Sequence, residues 1–234
     1  MKDSQFYNEE SKHYSAKRYP LVATTYIQFF FKERLRLAVE QLKAIVGSKE
    51  HLTLLEVGCA DGVVLREISK QFDGSFSKLV GIDTAKGMVE QARVLAADPR
   101  IQVFLRGEEL LDGPVDVIME IGVANYADID EELEYAREHL ADGGVYILSL
   151  AGKGSLNAFF GKGVGYKNFL SYRDYEQKIA ALFRIETVIP CGFFVPLLWR
   201  TPRIARIVQL AIEKVMAMIT PNAFHEKIYI LRKK

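Results

Sequence analysis

Leu52-Thr53-Leu54-Leu55-Glu56-Val57-Gly58-Cys59-Ala60-Asp61-Gly62 is the stretch on which the fold turns. Its leucine and valine run is apolar on both faces, as a strand buried in a parallel sheet requires. The run breaks at Gly58. Beyond Gly62, Val64, Leu65, Ile68 and Phe72 fall on one side of a helix. Glycines at such a strand-to-helix turn let the backbone bend sharply and approach a ligand, while the helix N-terminus leaves N–H groups free.

Downstream the alternation repeats. A second strand, Lys78 to Ile82, leads through Asp83-Thr84 into a helix carrying Met88, Val89, Ala92 and Leu95, with Thr84 as its expected N-cap. A third strand spans Ile101 to Leu105, and no long helix fits before the Asp112-Gly113-Pro114 turn. The fourth, Val115 to Ile121, precedes a helix from about Asp130 that turns Leu133, Ala136 and Leu140 inward and ends at Gly143-Gly144; Val145 to Leu150 is the fifth. This rhythm predicts an α/β fold, a parallel sheet with helices on both faces.

The flanks are less regular. Residues 1–20 read as an irregular arm, and apolar residues at helical spacing from Ile27 to Ile45 predict a helix over about Val22 to Val46. Five glycines crowd Gly152 to Gly165, with Phe159, Phe160 and Tyr166 among them, and predict a loop at the active-site face. A capping box, Ser171 to Asp174, opens a helix to about Leu182. Phe183 to Ile189 is a sixth strand, Pro202 to Ile219 a helix, and Lys227 to Leu231 a last strand. In the late helix Ile204, Val208, Ala211, Val215 and Met218 form one stripe, expected to cover the sheet with the apolar run Cys191 to Trp199 beneath it.

With 31 basic against 30 acidic residues in 234, nothing argues for a dedicated nucleic-acid binder. The polar first residues lack a secretion signal, and the longest uncharged stretch, Thr187 to Trp199, is too short to span a bilayer. Cys59 and Cys191 have no zinc or redox spacing, so no metal site and a reduced, cytoplasmic setting are expected.

Asp83 follows Gly62 by about twenty positions, where a carboxylate can accept hydrogen bonds from both hydroxyls of a ribose. The loop is not a dinucleotide fingerprint: counting from Gly58, the second and third glycines are Ala60 and Val63. No Gly-Lys-Ser/Thr follows either. A ligand with ribose and no phosphates fits best.

Leu54 to Gly62, then Val80-Gly81-Ile82-Asp83-Thr84 with Met88 and Ala92 behind it, resembles the first two motifs of the class I S-adenosylmethionine-dependent methyltransferases, with Ala60 at the middle glycine of G-x-G-x-G. The resemblance implies a three-layer αβα Rossmann-like fold, with a mostly parallel seven-stranded sheet whose last strand is antiparallel. It implies S-adenosylmethionine as cofactor, wrapped by Glu56, Gly58, Cys59, Ala60, Asp61 and Gly62, held at the ribose by Asp83 beside Thr84, and packed at the adenine by Met88. Gly107-Glu108 resembles the family's adenine-contacting Gly-Asp, and Glu120-Ile121 with the segment to Tyr126 resembles the strand end that faces cofactor and acceptor. The chain then divides into an arm and cap helix, 1–47, and a methyltransferase domain, 48–234, whose glycine-rich 152–170 forms a lid or acceptor loop.

An antiparallel last strand, as in this family, brings His225 to the rim of the acceptor pocket. His13 lies in an arm that in related enzymes folds over the cofactor, together with Tyr14, Arg18 and Tyr19, and Arg18 is a candidate for the cofactor carboxylate. His225, His13 and Tyr126 are therefore the candidates for a general base. A small, partly apolar acceptor is expected, with Phe193, Phe194 and Trp199 lining part of its pocket, and the arginines that follow are open to an acidic group or to peripheral contact with an anionic membrane surface. A nicotinamide-dependent oxidoreductase and a non-catalytic protein of the same fold are the rival readings.

Overall fold

The computed structural model describes residues 4–109, 111–159 and 166–234. Its strands are β1 (Leu52–Val57), β2 (Phe76–Asp83), β3 (Ile101–Leu105), β4 (Val115–Glu120), β5 (Leu140–Ala151), β6 (Phe183–Cys191) and β7 (Glu226–Lys233). They form one sheet in the order β3-β2-β1-β4-β5-β7-β6. β7 lies antiparallel to β5 and β6, with Ala151 opposite Glu226, while the remaining pairings are parallel. Ligands bind at the carboxyl ends of strands in open α/β sheets, and the order reverses between β1 and β4.

Alternate residues of the central strands feed two cores. Leu54, Leu79, Val117 and Ile147 pack against α3 (Tyr26–Val46), α4 (Val63–Gln71) and α5 (Lys86–Leu95). Leu55, Val80, Ile118 and Leu148 pack against α6 (Ile129–His139) and α8 (Tyr172–Leu182). Thr25 caps α3 by accepting from the Gln28 N–H, and Ser171 caps α8 by accepting from Asp174.

Four expectations need correction. Residues 4–18 are not irregular: they form α1 (Ser4–Glu10), a 3-10 turn and α2 (Tyr14–Arg18). Helices this short are stabilised by what they dock on, so their own periodicity is weak. Thr84 does not cap α5, whose N-cap is Ala85 without a side-chain bond. Gly143-Gly144 fall inside β5, which starts at Leu140. Of the glycine-rich loop, Phe160 to Gly165 lie outside the described residues; α7 (Leu156–Phe159) precedes them.

The fourth correction concerns α9 (Pro202–Ile219). The stripe from Ile204 to Met218 exists but faces water, and the buried side is Ala205, Gln209 and Glu213. The cause is backbone left without partners where the chain leaves β6. Glu213 Oε1 accepts the Phe193 N–H at 3.0 Å, and the Gln209 amide donates to the Phe193 carbonyl. Satisfying that backbone turns the polar side of α9 inward.

Candidate functional site

The β1–α4 loop is built on left-handed backbone. Gly58 has φ +71°, and a Cβ there would lie 2.4 Å from Val123, so only glycine fits without displacing that side chain. Ala60 holds φ +48°, a conformation costly for an L-residue, where the resembled pattern has glycine. What holds it is Asp83 at the end of β2. Asp83 Oδ2 accepts the Ala60 N–H at 2.9 Å and Oδ1 accepts the Ala85 N–H at 2.8 Å. Burial pushes the Asp83 carboxyl upward, and these backbone donors oppose it.

Two further acids sit at this loop. Glu56 is buried, and desolvation with the nearby charges of Asp83 and Asp61 raises its carboxyl well above the usual range. Glu56 Oε2 and Asp61 Oδ1 are buried without a hydrogen-bond partner among the described residues. Unpartnered buried carboxylate oxygens call for donors or positive charge.

The arm folds over the loop. Asp61 Oδ2 accepts from the Ser15 N–H at 3.0 Å and from the Ser15 hydroxyl, and Asn8 Oδ1 accepts the Gly87 N–H at 2.7 Å. Tyr7 and Tyr14 pack on Ala60, Ala85 and Met88. Beneath them lies a small cavity of about 120 Å³, lined also by Gly58, Asp83, Thr84, Arg106, Gly122, Val123 and Tyr126. It stands at the carboxyl ends of β1 and β2, where open α/β sheets bind ligands. A larger open groove near Phe76 and Arg100 lies at the opposite, amino end of β2 and β3, where Arg100 is spent on Asp98 and backbone carbonyls.

The structure thus gathers Gly58, Ala60, Asp83, Thr84 and Met88 around one cavity, with Glu56, Asp61 and Gly62 at its loop. Other expected residues fall elsewhere. Cys59 is a buried thiol turned onto Gly81 and Leu65, into the core rather than the cavity. Glu108 is exposed and Gly107 stands beside it; Arg106, paired to Glu132 through two bonds of 2.6 and 2.9 Å, is the residue of that turn in the cavity wall. Glu120 is buried on the α6 side, where the Tyr146 hydroxyl donates to it at 2.5 Å; Ile121 packs in the opposite core. Gly122 and Val123, the next two residues, reach the cavity instead. Arg18 is held by Glu10 at 3.0 Å and stacks on Tyr14. His13 is exposed and outside the cavity wall. Sequence reasoning missed Tyr7 and Arg106, neither of which carried a signal, whereas Gly122 and Val123 fall in the segment to Tyr126 that it had singled out.

Beside the cavity, at the start of β7, lies a polar cluster. Arg34 of α3 pairs with Glu226 at 2.9 Å, both buried; Glu226 also accepts from Ser149, which accepts the Gly122 N–H at 2.8 Å. His225 Nε2 stands 3.4 Å from the Tyr166 hydroxyl, and the Tyr166 ring meets Tyr126 edge-on. Burial lowers the His225 pKa, and its Nδ1 has no partner among the described residues.

Residues 55–146 match the family described as "Methyltransferase domain". Over that segment the chain carries a methyltransferase domain, and the whole has the Rossmann-like fold of the S-adenosylmethionine-dependent methyltransferases. No curated protein matches its sequence. Among solved structures, this methyltransferase resembles the magnesium protoporphyrin IX methyltransferase of Synechocystis with bound S-adenosylhomocysteine (TM-score 0.67, 13% identity, 99% of this chain and 98% of that one). It also resembles a chain of the Haloferax volcanii complex between the Trm112 methyltransferase activator and a methyltransferase (0.64, 15%, 97% and 97%). A third likeness is to geranyl diphosphate C-methyltransferase of Streptomyces coelicolor (0.57, 17%, 85% and 78%). At these identities the likeness is one of fold. The methyltransferase's acid-rich loop fits S-adenosylmethionine, whose ammonium, ribose hydroxyls and sulfonium are donors or cationic, and disfavours a pyrophosphate.

Proposed function

We propose that this methyltransferase methylates a small, partly apolar acceptor, with Glu56, Asp61 and Asp83 holding the cofactor and His225 taking the acceptor's proton. The observation that carries the acceptor side is the aromatic wall: Tyr7, Tyr14 and Tyr126 line the cavity, and Tyr166 and His225 continue from Tyr126. Such rings offer apolar faces with polar tips, which suit a flat or lipophilic acceptor better than a phosphate backbone.

When bound, S-adenosylmethionine supplies an electrophilic methyl carbon on a cationic sulfur. Asp83 orients the ribose through the lone pairs that Ala60 and Ala85 leave free. The unpartnered oxygens of Glu56 and Asp61 meet the cofactor's donors. Tyr7 and Tyr14, latched through Asn8 and Ser15, exclude water, and holding both reactants in line supplies much of the rate. His225, kept neutral by burial, accepts a proton from an oxygen or nitrogen acceptor as its bond to the methyl forms. Two neighbours in fold are named for acceptors with large apolar bodies, magnesium protoporphyrin IX and geranyl diphosphate. Two free buried thiols suit a cytoplasmic setting.

The test is a methyl-transfer screen spanning lipophilic phenols and acids, polar metabolites and RNA. Turnover on lipophilic acceptors that falls about a hundredfold or more in His225→Gln, with cofactor affinity kept, supports the reading. Turnover confined to RNA or highly polar metabolites overturns it.

A further inference from the structure

We propose that the outer face of α9 docks the protein on an anionic phospholipid surface. Ile204, Ile207, Val208, Val215 and Met218 form one continuous stripe along this helix, flanked by Leu210 and Ile219. All are exposed, Ile207 at 76% and Met218 at 86%, whereas Gln209 on the inner side is at 0%. An ordinary covering helix does the reverse. The inner bonds of Gln209 and Glu213 to Phe193 fix this orientation, so the stripe cannot rotate inward without stripping buried backbone of its partners. A patch of this length left in water marks an interaction surface.

The charges choose the occupant. Between Gly192 and His225 the sole acid is Glu213, and it is buried on the inner side. Arg200, Arg203 and Lys214 are all exposed. An apolar stripe bordered by basic residues and no acid is complementary to a bilayer carrying negative headgroups. A second copy offers no such complement, since the same basic borders would face each other. Arg206 donates to the Ala23 carbonyl at 3.3 Å, tying α9 to the loop before α3, where Leu21 and Val22 are exposed as well. That loop continues the arm whose Tyr7 and Tyr14 cover the cavity, so docking and access to the site share one piece of chain. No described helix is long and apolar enough to cross a membrane, and the mode is therefore surface binding.

The experiment is flotation of the full chain with vesicles of phosphatidylcholine alone or with about a third phosphatidylglycerol, at physiological salt. Flotation is expected with the anionic vesicles and not with the neutral ones. Ile207→Asp and Met218→Asp each lower partitioning at least about tenfold, from the loss of a buried apolar side chain. Arg203→Gln with Lys214→Gln lowers it about 25-fold, roughly fivefold for each charge removed. Cofactor affinity is measured in every variant and stays unchanged, because none of these residues touches the cavity. Absence of flotation, or flotation indifferent to all four substitutions, overturns the proposal. So does a dimer in sedimentation velocity that Ile207→Asp dissociates while vesicles leave the protein in solution; that result assigns the stripe to a second copy.

Discussion

Asp83 and Ala60 hold one another at the mouth of the cavity: the Ala60 N–H donates to Asp83 Oδ2 at 2.9 Å, although Ala60 sits at φ +48°. One carboxylate thus shapes the loop and presents its remaining lone pairs to a ligand. Asp83→Ala is expected to weaken S-adenosylmethionine binding by about 1.5–3 kcal/mol, the range for hydrogen bonds to a charged group. Calorimetric titration of a folded variant checks this, and unchanged affinity would place the ribose elsewhere.

The same strain gives a prediction of opposite sign. Ala60→Gly relieves a left-handed L-residue and raises unfolded-chain entropy, leaving a net gain of roughly 0.5–1 kcal/mol in stability. Gly58→Val does the reverse, because a side chain there adds strain and drives into Val123. It is expected to lower stability and abolish cofactor binding. Thermal melts of the two variants, with and without cofactor, test the pair.

Glu120 makes stability depend on pH. Burial and the neighbouring charge of Glu132 push its carboxyl up to about 8, while the unfolded chain titrates near the ordinary carboxylate value. Between these values the folded state keeps a proton that the unfolded state has lost. Its contribution is therefore fully present below the unfolded pKa and lost as pH rises through about 8. Glu120→Gln should raise Tm at pH 8 and leave it nearly unchanged at pH 4. A variant with equal effects at both would contradict the assignment.

The buried pair of Arg34 and Glu226 is expected to be worth far more to break than to replace. Glu226→Ala strands the Arg34 guanidinium and costs about 3–5 kcal/mol, whereas the double variant Arg34→Met with Glu226→Leu recovers most of that. Denaturant midpoints of wild type, both singles and the double measure the coupling.

The centre of the fold was legible because a buried parallel strand, a glycine turn and an acid ending the next strand are local patterns. Glu56 to Gly62 and Asp83 follow from them. What lay hidden depended on distant chain. The stripe of α9 was visible, but its direction is set by the unpaired backbone at Phe193, which no periodicity announces. The arm's two helices are too short to signal themselves and are fixed by Asp61 and Gly87. Arg106 rather than Glu108 reaches the cavity because Glu132, on α6, draws the guanidinium in.

The Arg34–Glu226 pair also orders events in time. Its partners stand 192 residues apart, and Glu226 opens β7, the last described strand in chain order. Until that strand is made, α3 cannot bury Arg34 without leaving its charge uncompensated. A nascent chain can fold its first strands and dock the arm on Asp61 and Gly87, yet cannot seat α3. The polar cluster beside the cavity is therefore completed only when Glu226 and β7 are in place.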